Sequence, residues 1–139
     1  MYELLDELIA LLKTLLPEAK EVRMYKGEFM PDTDWSPVFP IVFVQSTNVL
    51  AKMKGQIASS FGYTVNVYIG VKNDVPSNKE FFDKAMKVLN ELPMNGNTNL
   101  TQVFNISLNS AVLEGYFFGI DAWRVELSVG KNAVLSSAE

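Results

Sequence analysis

Residues 61–71, Phe-Gly-Tyr-Thr-Val-Asn-Val-Tyr-Ile-Gly-Val, alternate between two kinds of side chain. One series is apolar and consists of Tyr63, Val65, Val67, Ile69 and Val71; the other consists of Thr64, Asn66, Tyr68 and Gly70. Because successive side chains of a strand point to opposite faces, this alternation predicts a strand near the middle of a sheet with one buried face. That face needs a cover, and the chain offers one amphipathic segment before it and one after it.

The two amphipathic segments predict two helices. Residues 2–16 repeat leucine and isoleucine at spacings of three and four, and Pro17 ends the helix. The apolar face of this helix is broad, which fits either a well-covered core helix or burial on two sides, one of them against a neighbouring subunit. In the second helix, Ser77 and Glu80 have the spacing of a capping box, and apolar side chains follow over residues 81–92.

Further apolar stretches predict four more strands. These are residues 21–26, 40–45, 104–109 and 118–129. In the last stretch the apolar side chains change phase at Ala122 and Trp123, which predicts a β-bulge or a bend. Residues 27–40 and 47–60 show no regular period, so we expect two long loops there.

The predicted order of elements is helix, three strands, helix, two strands. This order favours an α+β fold with a mainly antiparallel sheet of about five strands and both helices packed on one face. The length of 139 residues fits one domain. We expect that domain to span residues 1–130 and residues 131–139 to form a flexible C-terminal tail, because the last residues are small and polar.

The composition limits the chemistry available to the chain. It contains no Cys and no His, so a thiolate nucleophile, zinc held by Cys or His, and a Ser-His-Asp triad are all excluded. Sixteen acidic and twelve basic residues give a net charge of −4, which argues against nucleic-acid binding. The N-terminal residues are acidic, unlike a signal peptide, and no apolar run reaches the ~18 residues of a membrane span. We therefore expect a cytosolic protein without enzymatic activity, metal or cofactor.

Two groups of charged residues lie in the predicted loops. Glu28, Asp32 and Asp34 could offer oxygen ligands to a hard cation, although a solvated acidic loop explains them more simply. Lys52 and Lys54 could contact phosphate, but a solvated loop again accounts for them. Neither group predicts a site by itself.

Aromatic and acidic side chains leave further alternatives open. Trp35 either packs onto the core or serves as an interface anchor. Phe61, Tyr63 and Tyr68 could form a platform for stacking bases, but the acidic composition favours ordinary packing within the sheet. Glu28 and Glu126 could act as paired carboxylates, yet any two acids permit that interpretation. No catalytic site is predicted.

A set of short motifs carries a family resemblance. Residues 22–29 read Val-Arg-Met-Tyr-Lys-Gly-Glu-Phe, and a proline then opens the apolar strand Ile-Val-Phe-Val. The motif residues are Tyr25, Gly27, Glu28, Phe29 and Pro40. The strands Tyr-Thr-Val-Asn-Val-Tyr and Trp-Arg-Val-Glu follow on either side of the middle helix. Over residues 1–130 this ordered set resembles a Mu-like prophage tail-region family and, more distantly, the tail terminator proteins of long-tailed phages. The loop residues Pro31, Trp35 and Pro37 match no position of the family pattern.

The resemblance implies a structural virion protein. It would form a homo-oligomeric ring, hexameric by analogy, that caps the tail tube and joins it to the head. The implied partners are the tail tube protein and head–tail connector proteins. The implied location is the host cytoplasm during assembly and the tail or neck of the virion afterwards. The alternative is a cytosolic α+β module that binds a ligand or another protein without catalysis.

A ring requires a heterologous interface, in which one surface of a subunit meets a different surface of the next. We expect both long loops and residues 115–122 to supply it. The candidate interface residues are Glu28, Trp35, Lys52, Lys54, Tyr116 and Phe118. Glu28 would accept backbone hydrogen bonds or pair with Arg23 or Arg124.

Overall fold

The computed structural model describes residues 2–26, 38–93, 100–117 and 119–133, with the backbone alone for 115–117. Its elements are α1 (Tyr2–Leu15), β1 (Glu21–Met24), β2 (Ile41–Lys54), β3 (Ile57–Lys72), α2 (Pro76–Glu91), β4 (Val103–Phe117) and β5 (Ile120–Asn132). The five strands form one sheet in the order β1-β2-β3-β5-β4. β1 runs parallel to β2, and the other neighbours are antiparallel. The predicted α+β fold, element order and mainly antiparallel sheet are confirmed.

The main core lies between the sheet and the two helices. Its buried members include Leu4, Leu5, Leu8 and Leu12 of α1, Phe81, Ala85 and Leu89 of α2, and Val44, Val65, Val67, Ile69, Val125 and Leu127 of the sheet. The apolar series of residues 61–71 faces this core as predicted, but the expectation of one buried face was wrong, because residues 65–71 are buried on both faces. Ile9, Leu11 and Leu15 also pack against this core, so contacts within the chain account for the broad apolar face of α1.

A second apolar cluster covers the opposite face of the sheet beside β1. It contains Phe39, Ile41, Phe43 and Tyr68, with Tyr25 and Ile120 packed against them. The rings of Tyr25 and Tyr68 stack with centroids 4.1 Å apart, and the Arg23 guanidinium lies 4.2 Å from the Phe43 ring centroid. This end of the sheet is buried on both faces. Tyr63 belongs to the main core, on the other face from Tyr68, so the two tyrosines form no common stacking platform.

Residues 47–60 form a hairpin, and the prediction of a loop there was wrong. β2 continues to Lys54, the chain turns at Gly55 with a φ of 67°, and β3 begins at Ile57. Residues 47–57 are exposed. Since neither face of this segment is buried, its sequence carries no alternation of polar and apolar residues, and no period-2 signal was present to detect.

The bulge predicted at Ala122 and Trp123 lies in the partner strand and not in β5. β5 pairs with β3 without interruption from Ile120 to Asn132, and one of the register shifts of β4, between Leu113 and Gly115, lies directly opposite Ala122 and Trp123. The phase change arises because Ala122 is buried opposite Gly70 on the face of the second cluster, whereas the later apolar residues of β5 face the helices. β5 also includes residues 131 and 132, which were assigned to the tail; residues 134–139 lie outside the described part of the chain.

The capping box predicted for α2 is absent. The helix begins at Pro76, its N-cap is Val75, and no side chain caps it. Proline suits the first helical position, so the helix starts before Ser77 and leaves that side chain exposed in the first turn. The buried Asn78 has a structural contact instead, because its Oδ1 accepts a 3.0 Å hydrogen bond from the backbone N–H of Lys72 at the end of β3.

Asn78→Ala is therefore expected to destabilise the protein more than Ser77→Ala. Removing the amide leaves the backbone N–H of Lys72 without its acceptor, and loss of such a bond costs about 1–3 kcal/mol. Ser77→Ala should change the free energy of unfolding by less than about 0.5 kcal/mol. Urea denaturation of both variants measures the difference. Equal losses of stability would show that this contact does not hold α2 to β3.

Gly62 and Gly70 lie on the same face of β3 and allow a second comparison of stability between two variants. A Cβ at Gly70 would lie 2.9 Å from Ile41 Cγ1 and 3.0 Å from the Phe39 ring, whereas at Gly62 its nearest atom is a carbonyl oxygen 3.9 Å away. Gly70→Ala should cost about 1–3 kcal/mol through overpacking of the second cluster. Gly62→Ala should be neutral or slightly stabilising, because alanine loses less backbone entropy in a strand. Thermal unfolding of both variants tests this, and an equal melting temperature would contradict it.

Candidate assembly surface

The outer part of the β2–β3 hairpin, residues 47–60, is the most exposed apolar element that the structure describes, and we call it the arm. Val49, Leu50, Met53 and Ile57 all expose large apolar side chains there. Lys52 and Lys54 are the charged residues of this segment, so the arm carries two positive charges and no negative one. Apolar surface concentrated on a projecting element is typical of an interaction site.

The apolar surface of the arm continues across the sheet on the face opposite the helices. Gly62 pairs with Leu50 on one side and with Gly130 on the other. The Phe104 ring lies over Gly130, where a Cβ would come within 2.7 Å of it. Leu50 and Phe104 are 67% and 60% exposed and border a shallow depression of about 370 Å³ with a floor of small residues. The two glycines thus leave room between two exposed apolar side chains.

Acidic residues gather where the first turns of α1 meet the start of β4. Glu7 accepts hydrogen bonds from the backbone N–H of Thr101 at 2.8 Å and from its hydroxyl. Burial raises the pKa of Glu7, but these hydrogen bonds outweigh it, and the pKa lies below the usual value. Glu3 pairs with Lys131 at 3.2 Å, and Asp6 is exposed. We call Glu3, Asp6 and Glu7 the acidic corner.

Polar side chains occupy the middle of the sheet face opposite the helices. Asn66 is 4% exposed; its Nδ2 donates to Thr47 Oγ1 at 3.4 Å, and its Oδ1 has no hydrogen-bond partner in the described part of the chain. Asn109 Nδ2 donates to Glu126 at 3.1 Å and to Ser128 Oγ at 2.7 Å. Glu126 is therefore held in a cross-strand network.

The structure describes only some of the predicted interface residues. Lys52 and Lys54 lie exposed on the arm, in a strand and not in a loop. Tyr116 belongs to β4, but its side chain is not described. Glu28, Trp35 and Phe118 lie outside the described residues. The suggested cation ligands Asp32 and Asp34 lie outside them as well.

Two of the five motif residues can be located. Tyr25 belongs to the second apolar cluster, and Pro40 follows a cis peptide bond and accepts a 2.8 Å hydrogen bond from the Lys20 N–H through its carbonyl. Gly27, Glu28 and Phe29 lie outside the described residues.

Both arginines proposed as partners of Glu28 have acidic partners of their own. Arg23 pairs with Glu21 at 3.0 Å, and Arg124 pairs with Glu114 at 3.2 Å. A pairing of Glu28 with either arginine therefore stays a prediction, and it would have to share the guanidinium with an existing acid.

A second depression, of about 470 Å³, lies between α2 and the chain before β2. Lys84 Nζ lies 2.6 Å and 2.9 Å from the two carboxylate oxygens of Glu18 at its border. The hydrogen bond from Lys84 lowers the pKa of Glu18. Because these two charges neutralise each other at the surface, the depression presents little net charge to a ligand.

Sequence reasoning found the lysines of the arm but missed its apolar residues, Phe104 and the acidic corner. Leucine, methionine and isoleucine inside a segment predicted to be a solvated loop were a signal that could have been used. The acidic corner had no such signal, because it depends on α1 lying beside β4.

The described residues contain no group of three acidic side chains placed to hold a metal ion. Nor does either helix of the described chain have the length and apolar character needed to cross a membrane. The chain matches no protein-family model, and no curated protein sequence matches it.

Proposed function

We propose that the protein is a structural component that assembles into a homo-oligomeric ring, of the kind that ends a phage tail tube and joins it to the head. The family resemblance of the motif residues and of the later strands supports this role. Its location would be the host cytoplasm during assembly and then the tail or neck of the virion. Tail tube and head–tail connector proteins would be its partners.

The observation that carries the proposal is the arm. A segment with four large exposed apolar side chains and two lysines adds little to the subunit's own core. Apolar surface of this kind is usually covered by another molecule. The arm and the sheet edge beside the acidic corner differ in shape and charge, so contact between them on successive copies would be heterologous, as a ring requires.

Light scattering coupled to size-exclusion chromatography is the first test. We expect a mass several times that of the 15.6 kDa chain at high protein concentration, and ring-shaped particles by negative-stain electron microscopy. Purified tail tubes mixed with the protein should carry it at their ends. A protein that stays monomeric at high concentration and on tube ends would contradict the proposal and favour a monomeric interaction module.

A further inference from the structure

The sheet has an unpaired edge on each side within the described residues. β1 pairs with β2 from Ile41 to Val44, and no described strand pairs with the outer edge of β2 beyond that point. β4 is the last strand on the other side, and its outer edge is likewise unpaired. Unpaired edges present backbone N–H and C=O groups that can bind another strand.

The two free edges lie at the same level of the sheet and run in opposite directions. Across the four strands, one row of paired residues consists of Asn48, Thr64, Ser128 and Ser107. Two residues further along β2, another row consists of Leu50, Gly62, Gly130 and Asn105. β2 and β4 are antiparallel to each other because three antiparallel pairings separate them. A second copy placed beside the first without axial displacement therefore offers its β4 edge to β2 in antiparallel sense.

Register shifts limit where such pairing can occur. β2 is irregular between Ser46 and Asn48 and again between Lys52 and Met53. β4 is irregular on either side of residues 105–108. Bulges disrupt a ladder, so the regular stretches are residues 48–52 on one edge and 105–108 on the other. Residues 48–50 and 105–107 share three rows of the sheet, in which 48 lies level with 107, 49 with 106 and 50 with 105.

The charges beside the two edges are opposite. Lys52 and Lys54 follow these shared rows toward the tip of the arm. The acidic corner adjoins the start of β4, because Glu7 is bonded to Thr101 and Glu3 is bonded to Lys131, which pairs with Val103. Lys52 lies on the sheet face of Leu50, opposite the helices, and the acidic corner lies on α1, so side-by-side copies bring these charges to the two faces of one edge and not into direct contact. Opposite charge at the two edges favours contact between unlike edges over contact between two like ones.

We propose that each copy continues its sheet into the next, with residues 48–50 of one copy paired antiparallel to residues 105–107 of its neighbour. This inference rests on the ring assembly proposed above and names the contact that closes it. The contact is heterologous, since the β2 edge meets the β4 edge and never another β2 edge.

Cross-linking tests the register. The chain has no Cys, so introduced cysteines are the sole thiols. With a short bis-maleimide reagent, the double variant Asn48→Cys/Ser107→Cys should give a ladder of covalent oligomers, whereas each single variant should stay monomeric on a denaturing gel. A covalent dimer from Asn48→Cys alone would show a two-fold contact between arms and overturn the proposal. So would absence of a ladder from a double variant that still assembles.

Charge reversal tests the partner surfaces. Lys52→Glu should weaken assembly several-fold, because it removes the attraction between the unlike edges. Lys87→Glu on the exposed side of α2 makes the same charge change outside both edge strands and should have no effect. If wild type forms no oligomer, the ring assembly fails. If wild type assembles and Lys52→Glu assembles equally well, only the edge pairing fails.

Discussion

A chain in which residues 52–60 are replaced by a short turn of asparagine and glycine is expected to fold but not to assemble. The replaced segment carries both lysines of the arm and the exposed side chains of Met53 and Ile57. It spares Phe61, which packs against the main core, and Tyr63, which belongs to it. Shortening a surface hairpin changes loop-closure entropy little. Circular dichroism and cooperative denaturation should resemble wild type, while light scattering should give the mass of a single chain.

The matched control replaces Ile57 alone by serine, which leaves the hairpin at full length. We expect an intermediate loss of assembly, because the lysines and the β2 edge remain. A shortened chain that still forms rings and still ends tail tubes at their normal length would exclude the arm tip from the interface. A shortened chain that fails to fold would show that the hairpin contributes to the subunit's own stability.

Leu127→Ala is expected to have the largest effect on stability. Leu127 lies on β5, between β3 and β4, and is fully buried in the main core. Truncation removes buried apolar surface and leaves a cavity, which together cost about 2–5 kcal/mol. A domain of this size has a total stability of about 5–15 kcal/mol, so the variant should unfold at a much lower urea concentration.

Leu50→Ala is the matched control, because it makes the same chemical change at an exposed position. The free energy of unfolding of this variant, measured at a concentration where the chain is monomeric, should stay within about 0.5 kcal/mol of wild type. Its assembly should weaken, since Leu50 lies on the proposed contact edge. Equal destabilisation by both substitutions would mean that the arm is packed against the subunit in solution.

The helices and the central strand could be predicted because each has apolar side chains on the side that faces the main core and a different composition on the other side. The spacing of leucines in residues 2–16 and the alternation of residues 61–71 both record that contrast. The arm has no buried side, so its strands carried no period and were mistaken for a loop. The apolar pattern around Ala122 was misread for the opposite reason. Both faces of the sheet are buried near this residue, so a buried side chain on the second face looked like a change of phase.

The start of α2 could not be fixed by its local motif. Ser77 and Glu80 have the right spacing for a capping box, but Pro76 fits the first helical position and begins the helix earlier. Within the candidate site, the two lysines of the arm were predicted from the sequence. The acidic corner and the shared rows of the two edges depend on which strands become neighbours, and that information lies in the tertiary structure.

The four residues of β1 give the sheet an uneven side. They occupy about 13 Å of the β2 edge at the end buried on both faces, and no described strand pairs with the rest of that edge. A neighbouring strand that slides along β2 toward this end meets β1 and can go no further. The same contact repeated with a constant axial offset would build a helical filament, and repeated without one it closes a ring. In the proposed assembly, β1 is thus a mechanical stop that blocks one of the two directions of slippage and so favours a flat, closed ring over a spiral.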